Sequence, residues 1–150
     1  MSLRPSVAGE HAPAESRSGS TAEVAALVRR YYNALEQGEA LDGFYATDAE
    51  AGELAPVVKI GSGRGEVFLG HEAVAAAVRQ VVATLTGNRL QSRRLIVSGR
   101  GDLRWFVDEV WWSGQAGAQP FASLTRWTGL CLRCPSGWKL LQLHVSEEAD

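Results

Sequence analysis

The chain has only two cysteines, one methionine and three histidines, and no apolar run approaches the roughly 18 residues of a membrane-spanning helix. Cys131 and Cys134 cannot complete a tetrahedral zinc site alone, and His11, His71 and His144 stand at spacings that match no common zinc module. No metal is therefore expected. A redox C-x-x-C pair opens a helix whose dipole lowers the thiol pKa, whereas these cysteines flank the end of a strand pattern. If both were extended, three residues would put their Cα atoms roughly 10 Å apart, beyond the disulfide limit of about 7 Å. An excess of one charge is lacking too: Lys+Arg 15 against Asp+Glu 17 leaves a net charge of -2, with no basic stripe for nucleic acid. The opening MSLRPSVAGEHAPAESRSGS has no apolar centre of a signal peptide. A cytoplasmic protein with reduced thiols and no membrane association is the expectation.

What is present fits one domain, since 150 residues can bury a core without disulfides or metals. Residues 1–19 hold Pro, Gly, Ser, Ala and charge with almost no large apolar side chain, so they read as a flexible tail and the folded domain as residues 20–148. Ser20 and Glu23 have capping-box spacing, and Val24, Leu27, Val28, Tyr31 and Leu35 follow as the apolar stripe of a helix ending near Gly38. A shorter helix over about Ala40 to Tyr45 and a strand at VVKIG come next. GSGRGE, residues 61–66, lacks the spacing and Lys of a phosphate loop and reads as a turn. A second helix starts near His71, carries Val74, Val78, Val81, Val82 and Leu85, and stops at Gly87-Asn88. SRRLIVSG, DLRWFVDEVWWSG, PFASLTRWTGLCLR and GWKLLQLHVS are four strand candidates joined by turn residues. Helices first and an antiparallel meander after them make an α+β fold.

Strand alternation divides these segments into faces, with the proviso that a bulge swaps the phase beyond it. Leu141, Leu143 and Val145 form an aliphatic face that should lie under the helices, opposite Trp138, Gln142, His144 and Ser146. Leu103, Trp105, Val107 and Trp111 share a face with Glu109, and Leu124, Leu130 and Leu132 share one with Arg126. Assigning both to the helix side points Glu109 and Arg126 inward. Phe106, Trp112, Phe121, Trp127 and Trp138 then lie outside, an aromatic patch too large to leave to water, and a homodimer or larger homo-oligomer is expected to cover it.

The stretches VRRYYNALEQGEALDGFYATDAE, KIGSGRGEVFLGHEAV, LTRWTGLCLR and GWKLLQLHVS together resemble the SnoaL-like branch of the nuclear transport factor 2-like superfamily over residues 23–148. The W-x-x-x-Q-x-H-x-S ending also resembles the association domain of calcium/calmodulin-dependent kinases. The resemblance implies a nuclear transport factor 2-like cone, N-terminal helices packed in a strongly curved, mostly antiparallel sheet, with a pocket inside and assembly into dimers or rings. Members include isomerases, dehydratases and hydrolases as well as domains that only bind or assemble, so it leaves enzymatic activity open.

Within that frame Glu109 is the candidate acid/base: a carboxylate among Trp105, Val107 and Trp111 would lose hydration and its pKa would rise. The alternative is an ion pair with Arg126 or a carboxylate at the mouth of the cone. Arg126 could instead bind a ligand carboxylate with its planar fork while Trp105 stacks on the ligand, Trp111 and Tyr31 completing the lining. Trp112, Trp127, Trp138 and His144 are the candidate dimer interface. A small-molecule-binding domain with possible acid/base chemistry, or an assembly module with a vestigial pocket, are the two readings. Neither calls for an organic cofactor.

Overall fold

The computed structural model describes residues 14–149. Helix α1 (Ala14–Gln37) is followed by a 3-10 turn (Asp42–Phe44), a short helix α2 (Asp48–Ala51), a second 3-10 turn (Gly52–Leu54), strands β1 (Val58–Ile60) and β2 (Val67–Leu69), and helix α3 (His71–Thr84). Strands β3 (Leu85–Ser92), β4 (Ile96–Arg100), β5 (Leu103–Ala116), β6 (Gln119–Cys134) and β7 (Gly137–Glu147) complete the chain. All seven strands form one curved open sheet in the order β2-β1-β7-β6-β5-β3, with β4 paired to the first half of β5. Every pairing is antiparallel except β1 with β7. The α+β expectation holds, and no helix among the described residues is long and apolar enough to cross a membrane.

The stripe Val24, Leu27, Val28, Tyr31 and Leu35 is buried throughout, and α1 lies on the inner face of the sheet with its polar side in water. The start of this helix differs from expectation. Of the anticipated tail, residues 1–13 lie outside the described residues, while α1 begins at Ala14 and runs through Ser20. Ser20 and Glu23 are used across the fold instead of as a cap. The buried Ser20 hydroxyl accepts a hydrogen bond from Arg133 Nη2 at 2.8 Å, and the Glu23 carboxylate accepts one from Trp138 Nε1 at 2.7 Å. The anticipated Ala40–Tyr45 helix shrinks to the 3-10 turn. A capping box, Thr47 with Glu50, starts α2 immediately afterwards. Helix α3 ends at Thr84, and the chain passes directly into β3, where Gly87, at φ 61°, sits at a bulge rather than at a helix stop.

The inner and outer faces of β5 and β6 are the reverse of the sequence expectation. Arg104, Phe106, Asp108 and Val110 of β5 and Thr125, Trp127, Gly129 and Cys131 of β6 are buried against the helices. Glu109 and Arg126 lie opposite each other on the outer face, Arg126 exposed and Glu109 half-buried. Polar residues mislead here because the inward ones find partners: Asp108 accepts from Tyr32 Oη and from Arg94 N, both at 3.0 Å, and Arg104 Nη1 donates to Gly99 O at 2.8 Å, although Arg104 Nε is buried without a partner among the described residues. Register then carries the error from strand to strand, because Asp108 pairs with Trp127 and Glu109 with Arg126. Gly129 shows how tight the inner face is, since a Cβ there would collide with the Phe106 ring of the neighbouring strand.

In β7, Leu141, Leu143 and Val145 are buried as expected. Trp138 is buried as well, because the register shifts between Leu130 and Cys131: Leu130 pairs with Gln142, Cys131 with Leu140, and Leu141 is the extra residue. Of the aromatic patch assigned to an outer interface, Phe106, Trp127 and Trp138 are thus core, with Trp112 and Phe121 half-buried on the same inner side. Trp127, 2% exposed, is its centre, with edge-on contacts to Tyr31, Tyr32 and Trp112 at ring-centroid distances of 6.1, 5.2 and 5.7 Å.

Candidate functional site

A cavity of about 200 Å³ opens between α1, α3 and the inner face of the sheet. Leu35 and Tyr31 reach it from α1, Val78 and Val81 from α3, Trp112 from β5, Phe121 and Trp127 from β6, and Leu143 and Val145 from β7. Alternation explains why these side chains meet: Trp112, Trp127, Leu143 and Val145 are inward members of three adjacent strands. The two indole N–H groups are already bound. Trp127 Nε1 donates to Thr125 Oγ1 at 2.8 Å and Trp112 Nε1 to Asn88 Oδ1 at 3.0 Å, so both indoles present the cavity with carbon surface.

Three polar features interrupt this apolar lining. The Tyr31 hydroxyl lies 2.8 Å from that of Tyr45, and burial pushes both phenols well above their ordinary pKa, opposed at Tyr31 by the hydrogen bond. A phenol held in its neutral form can donate a hydrogen bond but is no base at neutral pH. The second feature is Lys59, the central residue of β1, only 8% exposed and lying beside Leu143 and Phe68 in the register. Burial lowers its pKa, opposed by the charge of Glu66. The third is the turn between β1 and β2, whose Gly61, Ser62 and Glu66 line the cavity, as does Glu147 at the end of β7. The Glu66 carboxylate folds back to accept from Gly63 N at 2.9 Å, and a Cβ on Gly61 would run into that carboxylate. The glycines of GSGRGE thus make room for an anionic side chain of the chain itself, the opposite of a phosphate cradle.

Of the residues expected to line a pocket, Tyr31 does. Trp105, Trp111, Glu109 and Arg126 do not: Trp105 and Trp111 are 44% and 41% exposed on the outer face beside Glu109 and Arg126. The expected interface is likewise redistributed. Trp112 and Trp127 face the cavity, Trp138 is buried against Glu23, and His144 remains half-buried on the outer side. Lys59 escaped the sequence reading, although one signal was present: a single charge at the centre of a short strand whose neighbours are Val57, Val58 and Ile60. Both cysteines are free and buried, and burial pushes the Cys131 thiol up to about 12, which removes it as a nucleophile near neutral pH. No cluster of His, Cys, Asp and Glu suited to a metal ion occurs among the described residues.

Helices laid on the inner face of a curved open sheet, with a cavity between the layers, define the nuclear transport factor 2-like class. The chain belongs to the SnoaL-like domain family, whose family model matches residues 24–149. It is similar in structure to a nuclear transport factor 2-like protein of Streptomyces avermitilis, provisionally named a dehydratase, with a TM-score of 0.80 and 22% identity over 89% of this chain and 99% of that one. It is also similar to a Novosphingobium aromaticivorans protein provisionally named an aromatic ring hydroxylase, with a TM-score of 0.74 and 18% identity over 93% and 94%. A second protein of that organism, provisionally named a scytalone dehydratase, has a TM-score of 0.77 at 7% identity over 91% and 89%. At these identities the likeness is one of fold. No curated protein sequence matches the chain significantly.

Proposed function

We propose that this protein is a small-molecule-binding domain whose ligand is a compact, largely apolar molecule held between α1, α3 and the sheet. The observation that carries the reading is the cavity itself, about 200 Å³ and walled by aliphatic and aromatic side chains. An apolar cavity of about 150 Å³ is known to hold benzene, so this volume suits a single ring with a small substituent. It lies below the ~300 Å³ at which sites for drug-sized ligands begin. The provisional names of the structural relatives agree with a small organic ligand.

Acid/base chemistry of the isomerase, dehydratase or hydrolase type would have to use groups on this lining. These are Tyr31 as a hydrogen-bond donor, Lys59, and the carboxylates of Glu66 and Glu147. With Glu109 on the outer face, binding takes precedence over catalysis in this reading.

Binding is tested by isothermal titration of the full chain with benzyl alcohol, a neutral monocyclic probe, against the cavity-filling variant Val81→Trp checked for folding by circular dichroism. The reading expects saturable binding to the wild type and its loss in the variant. Equal binding to both, or none to the wild type, contradicts it.

The same proposal includes self-association through the outer face. Trp105, Trp111 and Ile96 are exposed large side chains there, and Glu109 beside Arg126 gives the face both signs of charge. A two-fold axis would let each copy cover the other's tryptophans and set unlike charges together.

A further inference from the structure

Lys59 is an anomaly that the apolar reading of the cavity leaves over. Its side chain is largely buried while Nζ keeps some access to water, so the ammonium stands at the cavity with part of its hydration lost and no group of the described residues bonded in its place. Among the described residues Lys59 makes neither an ion pair nor a side-chain hydrogen bond: the ion pairs are Arg79–Asp42, Arg126–Glu148 and Arg133–Asp102. Its one aromatic neighbour at cation-π distance is Phe68, with the ring centroid 5.8 Å away. Glu66 is the carboxylate whose charge acts on it, but that side chain is turned onto the Gly63 amide. Leu143 of β7 lies opposite it in the register, and Tyr31, Leu35 and Glu147 line the same cavity.

We propose that Lys59 anchors the negatively charged group of the cavity's ligand, and that the ligand class is a compact aromatic or aliphatic monocarboxylate. This rests on the reading of the cavity as a ligand site and names what that site selects. The carboxylate meets the Lys59 ammonium while the carbon body fills the space between Trp112, Trp127, Val78 and Val145. One cation without an arginine fork suits one carboxylate, whereas a phosphate or a dianion would call for more positive charge than the lining holds. Lys59 answers one carboxylate, whereas a second would meet Glu66 and Glu147 on the same lining with no cation to offset them, which disfavours dicarboxylates. With Glu66 turned onto the Gly63 amide, a ligand carboxylate gives Lys59 the charge-assisted hydrogen bond that no side chain of the described residues makes to it, in a partly enclosed site where such a bond exceeds its strength in water.

The test is isothermal titration of benzoate and of benzyl alcohol, which share a ring and differ in charge, into the wild type, Lys59→Met and Lys59→Gln. The wild type is expected to bind benzoate about 10-fold or more tighter than benzyl alcohol. Both variants should keep benzyl alcohol and lose the preference for benzoate. Benzyl alcohol binding without a benzoate preference in the wild type overturns the role of Lys59 and leaves the cavity reading standing. So does a preference that survives in the folded variants. If neither probe binds the wild type, the cavity reading and this inference fall together.

Discussion

The hydroxyls of Tyr31 and Tyr45 lie 2.8 Å apart, both rings buried, and Tyr31 lines the cavity. Each is the other's hydrogen-bond partner, so removing one strands its neighbour. Tyr45→Phe is expected to cost about 1–3 kcal/mol in denaturant unfolding, and Tyr31→Phe with Tyr45→Phe less than the sum of the single changes. Additive costs would show that the pair is not coupled.

Alkaline pH should expose the same pair. Burial raises the folded-state pKa of Tyr31, Tyr32 and Tyr45, so the folded chain holds protons that the unfolded chain releases above the ordinary tyrosine value of about 10. The stabilisation is complete below that pH and is lost as pH rises above it. A stability profile in urea should fall there, and less steeply for the Tyr31→Phe, Tyr45→Phe double variant. Identical slopes would contradict the assignment.

Lys59 gives the opposite sign. Its folded-state pKa is lowered, so between that value and the ordinary lysine value the unfolded chain binds more protons and stability rises with pH. Lys59→Met removes the buried charge without changing the length of the side chain much. It is expected to leave the denaturant midpoint near neutral pH unchanged or higher and to flatten the rise. A loss above about 1 kcal/mol would mean that the ammonium has a stabilising partner in the unliganded protein.

Substitutions on the two sheet faces should separate by phenotype. Trp105→Arg or Trp111→Arg, on the outer face, should lower the sedimenting mass of a dimer with the secondary structure intact. Trp127→Ala should cost about 3–5 kcal/mol as a core truncation, because Trp127 contacts two helix tyrosines and Trp112. A wild-type monomer at micromolar concentration would sink the outer-face interface.

The fold was legible because its signals are local and redundant. The α1 stripe from Val24 to Leu35, the His71 helix and the aliphatic side of β7 each follow from periodicity within one element. The site was less legible because it depends on strand phase, which is a single binary choice shared by neighbouring strands. Leu103, Trp105, Val107 and Trp111 look as apolar as Phe106, Val110 and Trp112, and the choice between them turns on Glu109 against Arg104 and Asp108. Only the partners Tyr32 and Arg94, far away in sequence, show that Asp108 can be buried. The larger aromatic set, Phe106, Trp112, Phe121, Trp127 and Trp138, was the better guide, since such rings favour the inner side of a sheet over its surface, and three of the five are fully in the core. The bulge at Leu141 that turns Trp138 inward has no glycine or proline to announce it.

The central claim is that ligand enters the space between the helices and the inner face of the sheet. Intermolecular nuclear Overhauser effects from bound benzoate to methyl-labelled protein test it most directly. Contacts are expected from the ring to the methyl groups of Val78, Leu143 and Val145. Contacts confined to Ile96 or Val107 on the outer face, or no contacts at saturating benzoate, would contradict it.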